Sequence, residues 1–434
     1  MTSFSAQVSQ NQYLAQGADL VHAVMSVSSS SATAPATALD RGGPGNHARR
    51  TLVEALIVDC SGSMDGEKIM QTRQAVNKAI DLLHDDAWFC VIAGSDAGKL
   101  LVPLAQATPE NRQSAEKAVR HLGASGGTAI STWLQTALDE FHKMPDGIHH
   151  ALLLTDGKDE SEGEAALDDA LDECEGRFQC DARGVGTDWQ PAQLRKISAK
   201  LLGTLDIIPS PDQIEADFRR VIESAMGKSV GSVSLRLWTP VGAKVEFCRL
   251  VYPEQFDLTD RAVVDPKTPQ VRDYPTGAWG EEKRDYHLAI RVTPGKVGQR
   301  MCAGRASLVV NERGQETKVA ESMVLAVWTD DEAQSALIHP AVAHYTGQVE
   351  LASAIQQGLK AREQGDEARA TQLLGRAVQI AAASNPETMK LLRKVVEVED
   401  ERQGTVKLRR NVKKEDEFAL DARSTKTARV QKPS

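Results

Sequence analysis

Leu52-Val-Glu-Ala-Leu-Ile-Val-Asp59-Cys-Ser-Gly-Ser63 is the stretch on which the fold turns. A short aliphatic run of this kind reads as a strand buried on both faces. It stops abruptly in an oxygen-rich loop, and a helical pattern follows at residues 67–83. Asp59, Ser61 and Ser63 stand at alternate positions, so one tight turn aims a carboxylate and two hydroxyls at the same point, and Gly62 permits the bend. Such an all-oxygen cluster suits a hard divalent cation, Mg2+ first, and suits zinc or copper poorly. Alone the spacing decides little, because ordinary loops that cap a helix carry it too.

Two stretches downstream point to the same place. Gly123-Ala-Ser-Gly-Gly-Thr-Ala-Ile-Ser131 sets Thr128 in a Gly-rich loop at a helix start, and Ala151-Leu-Leu-Leu-Thr-Asp-Gly157 is a second buried strand ending in Asp156. Both end where ligands gather in open α/β sheets, at the carboxyl ends of strands. The order Asp-x-Ser-x-Ser, then Thr after Gly-Gly, then Thr-Asp-Gly resembles the metal-ion-dependent adhesion site of von Willebrand factor type A domains, over residues 51–227. The resemblance implies one Mg2+ (or Mn2+) at Asp59, Ser61, Ser63, Thr128 and Asp156, some of them acting through water. It also implies a protein partner whose Glu or Asp completes the coordination.

With two carboxylates and three neutral oxygens, a divalent ion is neutralised at most once over and stays electrophilic, which favours an incoming carboxylate. Nucleophilic catalysis lacks its activating partner, since neither Ser61 nor Ser63 has a His or Lys base in sequence context. The expected function is therefore a non-enzymatic, metal-dependent interaction scaffold. A metal-dependent hydrolase on the same loops, or an adaptor of an ATPase chaperone assembly, is the alternative. His149 and His150 are expected to be solvated at a strand start, and Asp159, Glu160, Glu162 and Glu164 to form a solvated loop.

At 434 residues the chain exceeds one core, and two or three domains are expected. A formal net charge of −9 argues against nucleic acid as the main partner. No apolar stretch has the length of a membrane span and Met1-Thr-Ser-Phe-Ser-Ala-Gln is no signal peptide, so a cytoplasmic chain without membrane insertion is expected. The six scattered cysteines fit reduced thiols.

Between residues 51 and 227 strands and helices alternate, the pattern of a doubly wound, Rossmann-like α/β domain, with residues 99–103 as an antiparallel edge strand. From residue 229 to 330 the period becomes two, reading as a β-sandwich. Residues 1–28 hold one amphipathic strand, 20–27, with no nearby partner; it is expected to complete the sandwich, making the α/β domain an insertion. Residues 29–50 read as a flexible linker, 340–403 as a small helical domain and 404–434 as a flexible basic tail. Thr425 and Thr427 are expected phosphorylation sites there. Bacterial chains that resemble this one tend to accompany Ser/Thr kinases, phosphatases and forkhead-associated (FHA) domains, which makes a kinase and an FHA-domain protein expected partners.

Overall fold

The computed structural model describes residues 2–31, 50–157, 161–312 and 314–429. The N-terminal segment supplies three strands rather than one: β1 (Thr2–Gln10), β2 (Tyr13–Ala15) and β3 (Leu20–Ser31). β1 carries mostly Ser, Thr and Gln, so its alternation is weak; what holds it is main-chain pairing to β3, from Thr2↔Ser31 to Gln10↔Ala23. Because β3 runs to Ser31, the expected linker starts later than residue 29, and its residues 32–49 lie outside the described residues.

Residues 50–231 and 277–280 belong to one compact unit, inserted in the sequence of the other. Its strands are β4 (Leu52–Asp59), β5 (Trp88–Gly94), β6 (Gly98–Gln106), β7 (Ile148–Thr155), β8 (Gln179–Val185) and β9 (Leu205–Ile208). Its helices are α1 (Glu67–Leu82), α2 (Pro109–Val119), α3 (Ile130–Phe141), α4 (Glu164–Cys174), α5 (Pro191–Lys200) and α6 (Ile214–Met226). The sheet order is β6-β5-β4-β7-β8-β9, parallel throughout except for the antiparallel edge pair β5–β6.

Every residue of β4 is buried, as a strand between two helical layers requires. Leu56 and Val58 pack with Ile69 and Ile80 of α1 and Phe218 and Ile222 of α6, while α3, with buried Trp133 and Leu134, lies against β4, β5 and β6. The chain winds one way from β4 to β5 and the other way from β7 to β8. The carboxyl ends of the adjacent strands β4 and β7 therefore flank the switch point, where Asp59 and Asp156 sit.

Toward the amino ends of the same strands runs a buried polar network. His150 stands opposite Glu54 in register and is not solvated: its side chain is 12% exposed, with Nδ1 2.8 Å from Glu54 Oε2 and Nε2 3.3 Å from Asp181 Oδ2. Burial alone would lower its pKa, but the Glu54 charge and the hydrogen bonds to Asp181 and Glu54 hold it up at about 10. Arg183, 1% exposed, continues the network to Asp217 of α6 at 2.6 Å. Burying these charges is tolerable because each is paired.

The second unit is a sandwich with helical cover. Its remaining strands are β10 (Val230–Trp238), β11 (Lys244–Tyr252), β12 (Phe256–Asp257), β13 (Val271–Trp279), β14 (Lys283–Arg291), β15 (Arg300–Glu312) and β16 (Gln315–Thr329). One sheet runs β1-β3-β14-β11-β12 and the other β13-β10-β15-β16-β2. β3 sits inside the first sheet, paired to β14 from Lys283↔Ser28 to Arg291↔Leu20. Its Val21 and Ala23 join Ile290, Val324, Ala326 and Trp328 in the core between the sheets.

α7 (Glu332–Ser335), α8 (Pro340–Glu363), α9 (Glu367–Ser384) and α10 (Pro386–Val395) follow. Asp366 and Asn385 cap α9 and α10, accepting from Arg369 N at 3.0 Å and Thr388 N at 3.1 Å. α8 docks on the outer face of the first sheet, where Ala341, Val342 and Tyr345 meet Val24 and Val251.

The described part of the expected flexible tail, residues 404–429, is folded, and the helical segment ends earlier than residue 403. β17 (Val396–Asp400) and β18 (Thr405–Leu408) form a hairpin, followed by α11 (Lys414–Arg423). Val396, Val406 and Leu420 pack into the core of α8, α9 and α10, and Arg362 of α8 pairs with Glu417 at 2.7 Å. Composition hid this because only a few apolar residues anchor a mostly polar segment. None of the helices among the described residues is long and apolar enough to cross a membrane.

Candidate metal centre

Two loops are laced together by main-chain bonds before any side chain is considered. Past β4, Cys60 N donates to Gly94 O at 2.6 Å, Ser125 N to Cys60 O at 2.7 Å and Gly62 N to Gly126 O at 3.0 Å. Gly126 takes φ 83°, a conformation that favours glycine. The Thr128 loop is held in turn by Asp96, which accepts from Gly127 N at 2.8 Å, and by Ser161, whose Oγ accepts from Thr128 N at 2.8 Å.

On this frame the five oxygen-bearing residues picked out by the sequence come together. Asp59 is fully buried; its Oδ1 accepts from Ser61 N at 2.7 Å and its Oδ2 from Thr155 Oγ1 at 2.5 Å. The Ser61 and Ser63 hydroxyls lie 2.9 Å apart, and Ser63 Oγ donates to Asp156 Oδ1 at 2.6 Å. A methyl group added at Gly157 would stand 3.1 Å from Thr128 Oγ1, 3.6 Å from Asp59 Oδ2 and 3.6 Å from Ser63 Oγ. Those three oxygens, one from each loop and one from the end of β4, therefore face a common space that only a glycine leaves open.

Among the described residues Asp59 has no cationic partner, and its pKa is raised, first by burial and further by the Asp156 charge, against the hydrogen bonds from Ser61 and Thr155. A buried carboxylate so placed favours an added cation. No group of three or more His, Cys, Asp or Glu placed to hold a metal ion occurs among the described residues, and burial pushes the neighbouring Cys60 thiol up to about 12, so it offers no thiolate. Two carboxylates and three hydroxyls remain, a donor set that fits a hard divalent ion.

Besides Asp96, four participants escaped the sequence reading. Thr155 orients Asp59, and Ser161 fixes the Thr128 loop. Lys68, in the first turn of α1, pairs through Nζ with Asp156 Oδ2 and lies 3.4 Å from Ser63 O. Glu162, expected in a solvated loop, accepts from Ser131 N at 2.8 Å; Asp159 and Glu160 lie outside the described residues. Only Thr155 carried a signal, its place directly before Asp156.

Thr425 and Thr427 are not on a mobile end. Thr427 Oγ1 donates to Val251 O at 2.5 Å and its N to Pro253 O at 3.0 Å, while Thr425 O accepts from Gln255 N at 3.0 Å. Main-chain hydrogen bonding to the sandwich holds the segment; residues 430–434 lie outside the described residues.

The chain matches the model of the von Willebrand factor type A domain at residues 55–207 and that of the von Willebrand factor type A C-terminal domain at residues 379–424. A von Willebrand factor type A structure from Catenulispora acidiphila is 42% identical, covers 99% of this chain and 98% of that one, and superposes with a TM-score of 0.92. The ArnB paralog VWA2 from Sulfolobus acidocaldarius, 13% identical over 98% of both chains with a TM-score of 0.60, shares the fold. An uncharacterized protein of Synechocystis sp. is 29% identical over 220 residues, 49% of this chain and 52% of that protein. Inter-alpha-trypsin inhibitor heavy chain H1 from Bos taurus is 30% identical over 144 residues, 30% of this chain and 16% of that one. The match thus spans about half the length of the first of these two relatives and a sixth of the second. Full-length agreement with the Catenulispora structure, together with the two domain matches, makes this chain a member of the von Willebrand factor type A family.

Proposed function

We propose that this protein is a non-enzymatic, metal-dependent interaction module, in which Asp59, Ser61, Ser63, Thr128 and Asp156 hold one Mg2+ (or Mn2+) and an Asp or Glu of a partner protein completes the site. The carrying observation is the common space before Gly157, faced by Thr128 Oγ1, Asp59 Oδ2 and Ser63 Oγ. Bound there, the ion supplies an electrophilic position for an anionic oxygen. The protein's own part is to orient: Thr155 fixes Asp59, Ser61 N fixes its other oxygen, and Ser63 bridges to Asp156.

Binding rather than turnover is favoured because the two serine hydroxyls are engaged with each other and with Asp156, and among the described residues no histidine is bonded to either. A Ser/Thr kinase and an FHA-domain protein are the partners that the family resemblance suggests. Of the two tail threonines, Thr425 suits that role better, since its hydroxyl makes no hydrogen bond among the described residues.

Capture of partners from native lysate, with Mg2+ and with EDTA, by the intact chain and by a Ser61→Ala/Ser63→Ala variant tests the reading. Retention that depends on both metal and serines is expected. Metal-dependent hydrolysis of a phosphoester or peptide that disappears in Asp59→Ala would overturn the non-enzymatic reading.

A further inference from the structure

Beside the start of α8, the outer face of the first sandwich sheet is floored by hydroxyls. Register sets Ser5 of β1 opposite Ser28 of β3, and Ser28 opposite Lys283 of β14. One row along, Gln7, Ser26 and Asp285 stand abreast. This floor lies under a cavity of about 880 Å3 whose walls are the first residues of α8 and Arg429. That volume is of the size that small-molecule sites occupy.

The charges in the cavity do not cancel. Asp285 is buried and fully engaged: Tyr345 Oη donates to its Oδ2 at 2.5 Å, and Arg429 donates through Nε at 3.1 Å and Nη2 at 3.0 Å. Arg429 and Asp285 neutralise each other, which leaves Lys283 as the excess charge. Among the described residues, Lys283 Nζ and the hydroxyls of Ser5, Ser26 and Ser28 have no hydrogen-bonding or ionic partner. The amino end of the 24-residue α8 adds the positive end of its dipole.

An ammonium, a helix start and several free hydroxyls held at fixed spacing by a sheet make a preformed receptor for an anion that also carries hydroxyls. A lone inorganic anion would use Lys283 and leave most of the floor unpaired; an apolar acid would bury the floor's hydroxyls without partners. We propose that this cavity binds a small phosphorylated polyol, its phosphate beside Lys283 and its hydroxyls over Ser5, Ser26 and Ser28. The site is independent of the divalent ion, because none of its residues belongs to the Asp59 loops.

Calorimetric titration of the full chain in EDTA with ribose 5-phosphate, inorganic phosphate and ribose tests this directly. Saturable binding of ribose 5-phosphate is expected, at least tenfold tighter than that of either fragment. Lys283 is an exposed strand residue, so Lys283→Ala should fold normally and weaken binding at least tenfold. Ser26→Ala/Ser28→Ala should narrow the preference for the phosphorylated sugar over inorganic phosphate. Absence of saturable binding, or an unchanged Kd in Lys283→Ala, would overturn the proposal. Equal affinity for inorganic phosphate and the sugar phosphate would overturn the polyol assignment.

Discussion

Thr155 donates its hydroxyl hydrogen to Asp59 Oδ2 at 2.5 Å, so the residue just before one site carboxylate orients the other. The same Thr155 oxygen also accepts from Gly157 N at 3.1 Å, which ties the end of β7 to the glycine that leaves the site open. Thr155→Val should keep the shape and remove both bonds. Mg2+ affinity is expected to fall roughly 10–100-fold, the usual effect of losing a residue that orients a ligand. Calorimetric titration with MgCl2 checks it; unchanged affinity would mean that Asp59 needs no such support.

Asp156→Ala removes a carboxylate of the candidate metal site and the ion-pair partner of Lys68. On the proposed metal reading, the intact protein at a hundredfold excess of Mg2+ over Kd is expected to gain about 2.7 kcal/mol from binding to the native state. In the variant this metal-induced rise in Tm should vanish. Scanning calorimetry with MgCl2 and with EDTA gives the comparison.

His150 sets a pH dependence. Its folded-state pKa is held up at about 10, above the ordinary 6.5, by Glu54 and Asp181. The stability it contributes is therefore complete below pH 6.5 and is lost as pH rises toward 10. His150→Gln should destabilise the protein most at pH 6, and its gap to the wild type should close across that window. Urea unfolding at pH 6, 8 and 10 measures it; a gap that widens with pH would contradict the assignment.

Deleting residues 1–30 removes β1, β2 and all of β3 but Ser31, and β3 is paired on both sides within its sheet. Losing Val21, Ala23 and Met25, all with 0% exposure, should prevent the sandwich from closing rather than trim it. The expected result is loss of a cooperative melting transition and rapid proteolysis of residues 232–329. An unaltered melting profile would be incompatible with this pairing.

Truncation after Gly404 should likewise be damaging, because it removes Val406 and Leu420 from the core of α8, α9 and α10. Each lost buried aliphatic side chain costs about 2–5 kcal/mol. A truncated protein that melts like the full chain would show that the segment is dispensable.

The α/β alternation was legible because β4, β5 and β7 each hold an aliphatic run and each helix of the unit is punctuated by Pro or Gly; β8, with Asp181 and the buried Arg183, departs from this pattern. The proposed ligands Asp59, Ser61 and Ser63 were legible because their spacing is local. Thr155 and Lys68 were harder, since their roles depend on side chains that meet only after folding. β1 was hidden because main-chain pairing, not apolar alternation, makes it a strand. The C-terminal segment reads as unstructured because its anchors, Val406 and Leu420, are few and far apart among charged residues.

The insertion of one unit into the sequence of the other has a consequence for synthesis. Ser28 emerges from the ribosome some 255 residues ahead of its pairing partner Lys283. At ~5–20 residues per second, β3 waits roughly 13–50 s for β14. The whole α/β sheet, β4 to β9, is translated in that interval and has all its own strands. The N-terminal hairpin meanwhile carries an exposed apolar face, so the nascent chain, rather than the finished protein, is where a chaperone has most to protect.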